Sequence, residues 1–78
     1  MATDRSKFVY VVNRNKKKLY EVAAEMEISP QALSYKLGNM YPFRVSEMEK
    51  FRQIFPDVTD SEFQSIFFAA SVAADANA

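Results

Sequence analysis

Apolar residues recur at helical spacing along most of the chain, and the clearest case is Leu19 to Leu37, LYEVAAEMEISPQALSYKL. Leu19, Val22, Ala23 and Met26 are three or four residues apart, the spacing of a helix with one buried face. Ile28 follows, and Ser29-Pro30 then announces a second helix. Ser is a favoured N-cap, and Pro suits the first helical position, where its missing N–H would be unpaired anyway. That helix runs to about Gly38 and buries Leu33 and Leu37. Two short amphipathic helices joined by about three residues, with Ala23 small enough for close approach, form a helix-turn-helix. The same spacing also occurs in purely structural helical hairpins.

The pattern on either side predicts three more helices. Thr3 or Asp4 caps a first helix to about Arg14, with Phe8, Val11, Val12 and Asn15 along one side. Its run FVYVV also has strand propensity, but no second strand-like run exists to pair with it. Gly38-Asn39 ends the third helix, and either residue suits the left-handed conformation that closes many helices. Phe43, in the loop MYPFR, is assigned to the core. Ser46-Glu47-Met48-Glu49 fits a capping box and opens a fourth helix with Met48, Phe51 and Phe55 as its core face, stopped by Pro56. Thr59-Asp60-Ser61-Glu62 is a second capping box, with Val58 and Phe63 at the staple positions, and the fifth helix buries Phe63, Ile66, Phe67 and Ala70. The tail AADANA has no core residues and reads as frayed. Without repeats or linkers, residues 1–78 form one all-α, five-helix domain, with a core over about 4–72 and a tail at 73–78.

Composition narrows the chemistry. A chain of 78 residues buries roughly 60% of its unfolded surface, so it needs good packing. Without Cys there is no disulfide framework or zinc finger, and without His the commonest general base and metal ligand are missing. One Gly rules out a phosphate loop, and the pairs Glu25/Glu27 and Glu47/Glu49 are two residues apart, off a shared helical face. No enzyme, cofactor or metal is therefore expected. The longest apolar run, near Ile66 to Ala74, is interrupted by Ser71 and falls short of the ~20 residues that span a bilayer. The apolar stretch at Phe8 is too short for a signal peptide, so the expectation is a soluble intracellular protein that makes no use of membranes.

Net charge is zero, but it is unevenly distributed. Residues 1–45 hold eight Lys/Arg against four Asp/Glu, a net of +4, and residues 46–78 hold two against six, a net of −4. A basic half carrying the helix-turn-helix suits a nucleic-acid binder that is neutral overall. The most basic run is Lys16-Lys17-Lys18. Placed at the start of the second helix, these residues oppose its dipole, a cost of about 0.3–1 kcal/mol per group that phosphate contact would explain. On the outer face of the third helix, Gln31 suits a bidentate pair with adenine, Ser34 suits several base edges, and Tyr35 suits a thymine methyl or a phosphate. Lys36 is assigned to phosphate, as are Asn39, Tyr41 and Arg44 in and beside the following loop. Phe68 and Val72 fall off the buried stripe of the fifth helix, four residues apart, and suggest a protein interface.

The stretch EVAAEMEISPQALSYKLGN, the aromatic loop YPF and the ending SEFQSIFF together resemble small lambda-repressor-like helix-turn-helix proteins, the Cro and repressor group of phages. The last pairing is similar to short Cro-type regulators of phages infecting Gram-positive bacteria, and the resemblance covers roughly residues 6–70. It implies a compact lambda-repressor-like domain in the cytoplasm of a bacterial host. It also implies binding to a double-stranded DNA operator as a dimer, with helix 3 in the major groove and repression by promoter occlusion. Gln31, Ser34 and Tyr35 match positions that the family uses for bases. The chain departs from the pattern at Glu27, where a turn Gly is usual, and at Leu19, where a polar phosphate contact is common. It departs again at Pro30, where a base-reading side chain often stands. Some small members of phage switches act instead as antirepressors that bind the DNA-binding domain of a partner repressor, and this reading stays open.

Overall fold

The computed structural model describes residues 2–69. Five helices follow one another: α1 Arg5–Arg14, α2 Leu19–Glu25, α3 Pro30–Leu37, α4 Val45–Ile54 and α5 Asp60–Phe67. The domain is all-α, as the hydrophobic pattern predicts, and FVYVV lies within α1. None of the helices among the described residues is long and apolar enough to cross a membrane.

Two devices start the helices. In α1, α3 and α5 a short polar side chain accepts a hydrogen bond from a first-turn N–H: Asp4 from Lys7 at 3.1 Å, Ser29 from Ala32 at 3.0 Å and Thr59 from Glu62 at 3.1 Å. In α2 and α4 a long basic residue holds the cap position and cannot accept. There a first-turn glutamate reaches back, Glu21 accepting from the Lys18 N–H at 2.7 Å and Glu47 from the Arg44 N–H at 2.9 Å. The capping box predicted at Ser46 is thus corrected. Helix α4 is capped at Arg44 because Glu47 is drawn to that N–H and to Lys36. The box at Thr59 is half-formed, since Glu62 turns its carboxylate to Arg14 at 2.9 Å instead of to the cap.

The first three helices end alike. Lys16, Glu27 and Asn39 adopt left-handed backbone, with φ of 58°, 64° and 65°. In each turn the left-handed residue and its successor donate back into the helix: Lys16 to Asn13 and Lys17 to Val12, Glu27 to Ala24 and Ile28 to Ala23, Asn39 to Lys36 and Met40 to Tyr35. Of the two candidates after α3, Asn39 takes this conformation and Gly38, at φ −85°, does not.

The core is built around Phe8. Its ring lies 4.8 Å from that of Phe51, 5.8 Å from Phe43 and 6.0 Å from Phe67, edge-on to the last. Val11, Val12, Val22, Ala23, Met26, Leu33, Leu37, Phe55, Val58 and Ile66 complete the cluster. Each fully buried side chain of this size contributes about 1.5–3 kcal/mol. Helix α2 packs on α3, α1 and α4, while α1 also packs on α5. Arg14 ties the end of α1 to the α4–α5 loop and to α5, donating to Asp57 at 2.7 Å and to Glu62.

The ends of the described chain lie side by side. Ala2 and Ala69 exchange both backbone hydrogen bonds, at 3.0 and 2.9 Å, and the Asp4 N–H donates to Ile66 O at 2.7 Å. Because Ala69 turns to make this bridge, α5 stops at Phe67 and Phe68 becomes its C-cap, at φ −128°. Phe68, one half of the predicted interface, therefore sits at the end of α5 and not within it. Phe68 is 37% exposed, its ring 6.2 Å from that of Phe63. Val72, Ala70 and the predicted tail at 73–78 lie outside the described residues.

Candidate nucleic-acid interface

The turn between α2 and α3 is short because each helix supplies its own closure. Glu27 takes the left-handed position in spite of its side chain, and its carboxylate pairs with Lys50 of α4 at 2.7 Å. Lys50 thereby holds the Glu27 carboxylate below the usual range, by hydrogen bond first and by charge second. Ala23 and Leu33 are buried where α2 and α3 cross, and Ile28 packs against the same cluster.

Burial of Leu33 and Leu37 turns the opposite face of α3 to solvent, and Gln31, Ser34 and Tyr35 are exposed there. They are not independent of one another. Gln31 Nε2 donates to Tyr35 Oη at 2.8 Å, and the Tyr35 ring meets Tyr41 edge-on at 6.0 Å. A continuous row therefore runs from the α3–α4 loop along the helix to its first turn. Ser34 stands beside it, on the rim of an apolar pit of about 70 Å³ between α2 and α3 that Arg5 and Tyr20 also border.

The phosphate candidates divide. Lys16, Lys18 and Arg44 are exposed and make no ion pair among the described residues. Lys17 is paired with Glu25 at 3.0 Å on the surface. Lys36 is enclosed: its side chain is only 12% exposed, with Nζ 3.3 Å from Glu47 Oε1, 3.1 Å from Pro42 O and 5.9 Å from the centre of the Phe43 ring. A cation so enclosed holds the loop to α4 instead of reaching outward. Asn39 is engaged within the fold as well: its side-chain amide pairs with the backbone of Thr3, accepting from its N–H at 2.9 Å and donating to its carbonyl at 3.1 Å. The expected dipole conflict is also eased. Lys16 and Lys17 follow the C-terminus of α1, where positive charge is favourable, and Glu21 offsets Lys18 at the start of α2.

Sequence reasoning did not single out Tyr20, 61% exposed, or Met40 and Val45, 65% and 69% exposed on either side of Tyr41 and Arg44. Tyr20 was identifiable, since it falls off the Leu19–Val22–Ala23–Met26 stripe. Arg5 was not, because only the tertiary fold brings α1's first turn beside α3. Compared with family models, curated proteins and solved structures, the chain matches none.

Proposed function

We propose that this protein is a sequence-specific DNA-binding regulator of the phage Cro and repressor type, with α3 lying in the major groove of an operator. One observation carries the reading: the outer face of α3 presents Gln31, Ser34 and Tyr35, while Lys16, Lys18 and Arg44 are exposed and make no ion pair among the described residues. Polar side chains with both donors and acceptors suit base edges, and exposed cations suit phosphates. Tyr41, edge-on to Tyr35, adds a hydroxyl on the backbone side. Repression follows from occupancy of a promoter by a dimer, with the predicted pair Phe68 and Val72 as the surface on which a second subunit would associate.

A second reading has its own observation. Met40, Tyr41 and Val45 expose apolar surface beside α3, which suits a protein partner better than a phosphate backbone. In that case the protein is an antirepressor that engages the DNA-binding domain of a partner repressor.

Titration of duplex DNA at several salt concentrations decides between them. Changing Lys16, Lys17 and Lys18 together to Ala should weaken binding to all sequences alike, lowering the slope of log K against log salt by about 0.9 per lost phosphate contact. Most of that change should come from Lys16 and Lys18, since Lys17 already has Glu25. An unchanged slope removes the loop from the interface. Absence of DNA affinity at low salt, together with binding to a repressor domain, favours the second reading.

A further inference from the structure

The contact between Gln31 and Tyr35 limits which base Gln31 is able to read. A glutamine side chain carries two N–H donors on Nε2 and an acceptor oxygen, Oε1. Here one donor is already spent on Tyr35 Oη, at 2.8 Å. What remains facing outward is one donor and one acceptor. Adenine presents that complement in the major groove, its N7 accepting and its N6 amino group donating. Guanine presents two acceptors, N7 and O6, and a bidentate contact would need both Nε2 hydrogens. Gln31 is the second residue of α3, in the first turn, where a recognition helix meets base edges.

The tyrosine is itself held. Its ring packs edge-on against Tyr41 at 6.0 Å, and the loop carrying Tyr41 is pinned where Lys36 Nζ donates to Pro42 O at 3.1 Å and pairs with Glu47. The orientation of the Gln31 amide is thus set by a chain of contacts that begins inside the fold, before any ligand arrives.

We infer that Tyr35 is a positioning residue that fixes the Gln31 amide so that it reads adenine and rejects guanine, an inference that rests on the DNA-binding reading above. Tyr35 keeps its own hydroxyl hydrogen, free to donate to a phosphate or a base acceptor.

The test uses the full chain and a duplex library with randomised positions, from which the wild type selects a preferred sequence. The position read by Gln31 is the one whose preference vanishes in Gln31→Ala. At that position the wild type should favour adenine over guanine by on the order of tenfold. Tyr35→Phe, which keeps the ring against Tyr41, should reduce that ratio severalfold by favouring the guanine duplex relative to the adenine one. Helical content by circular dichroism should be unchanged, and loss of the Tyr35 hydroxyl's own contact should lower affinity for the adenine and guanine duplexes alike. A wild-type preference for guanine, or an adenine-to-guanine ratio that Tyr35→Phe leaves intact, overturns the inference while leaving the DNA-binding reading in place. Failure of the wild type to select any sequence removes both.

Discussion

Lys16, Glu27 and Asn39 share a backbone conformation that suits glycine, yet none of them is glycine. Left-handed backbone costs an L-residue roughly 1–2 kcal/mol, part of which glycine returns through its greater freedom in the unfolded chain. Lys16 is exposed and unpaired among the described residues, so nothing on its side chain offsets the strain. Lys16→Gly should therefore stabilise the domain by about 0.5–1 kcal/mol, read as a rise in the urea midpoint, while weakening DNA binding. A lower midpoint would mean that the turn is unstrained. Glu27→Gly should gain less than Lys16→Gly, because it gives up the pair with Lys50. Asn39 is a different case. Asn tolerates this region better than most residues, and its side chain joins Thr3 to the end of α3.

The junction of α3 and α4 shows what a helix end does when its partners are distant in sequence. Lys36 and Glu47 form a pair with side chains 12% and 9% exposed, and Glu47 also accepts from the Arg44 N–H. Lys36→Met leaves that carboxylate short of its cation. It should cost roughly 2–3 kcal/mol, the buried-pair penalty discounted for residual exposure, and Lys36→Met with Glu47→Leu should recover much of it. Equal urea midpoints for wild type and single variant would show the pair to be solvated. This junction also marks the limit of what the sequence made legible. The caps at Asp4, Ser29 and Thr59, the stop at Pro56 and the core stripes all depend on neighbours within a turn, and among the described residues each lies where the pattern predicts it, with Met48 and Phe63 only partly buried. The cap of α4 was misread because Glu47 answers to Lys36, on another helix. Asn39 and Lys36 looked free because their partners, Thr3 and Glu47, become neighbours only on folding. The Gln31–Tyr35 contact had a visible four-residue spacing, but its effect on base choice needed the donor atom.

Across the whole molecule the charge division becomes a set of clasps. Arg14 at the end of α1 joins Asp57 and Glu62, and these hydrogen bonds, that to Glu62 foremost, raise the guanidinium above its ordinary value. Desolvation pushes the Asp57 carboxyl up, but hydrogen bonds from its own backbone and from Arg14, together with Arg14's charge, outweigh this and hold it below the ordinary 3.8. Glu27 is lowered by Lys50. A carboxylate with a depressed folded pKa contributes stability above its unfolded value, and that contribution is lost as pH falls through the folded one. Thermal melts should thus be insensitive to pH from about 7 to 5 and fall in temperature below about 4. Arg14→Gln should melt lower at neutral pH and show a shallower acid decline, whereas an equally steep decline would place the acid sensitivity elsewhere. The bridge between Ala2 and Ala69 has a consequence of another kind. With both backbone hydrogen bonds exchanged between these residues, the stretch from Ala2 to Ala69 is a loop that its own backbone closes. A covalent link between positions 2 and 69 would ask little of that geometry, while taking on the order of 4 kcal/mol of chain entropy out of the unfolded state.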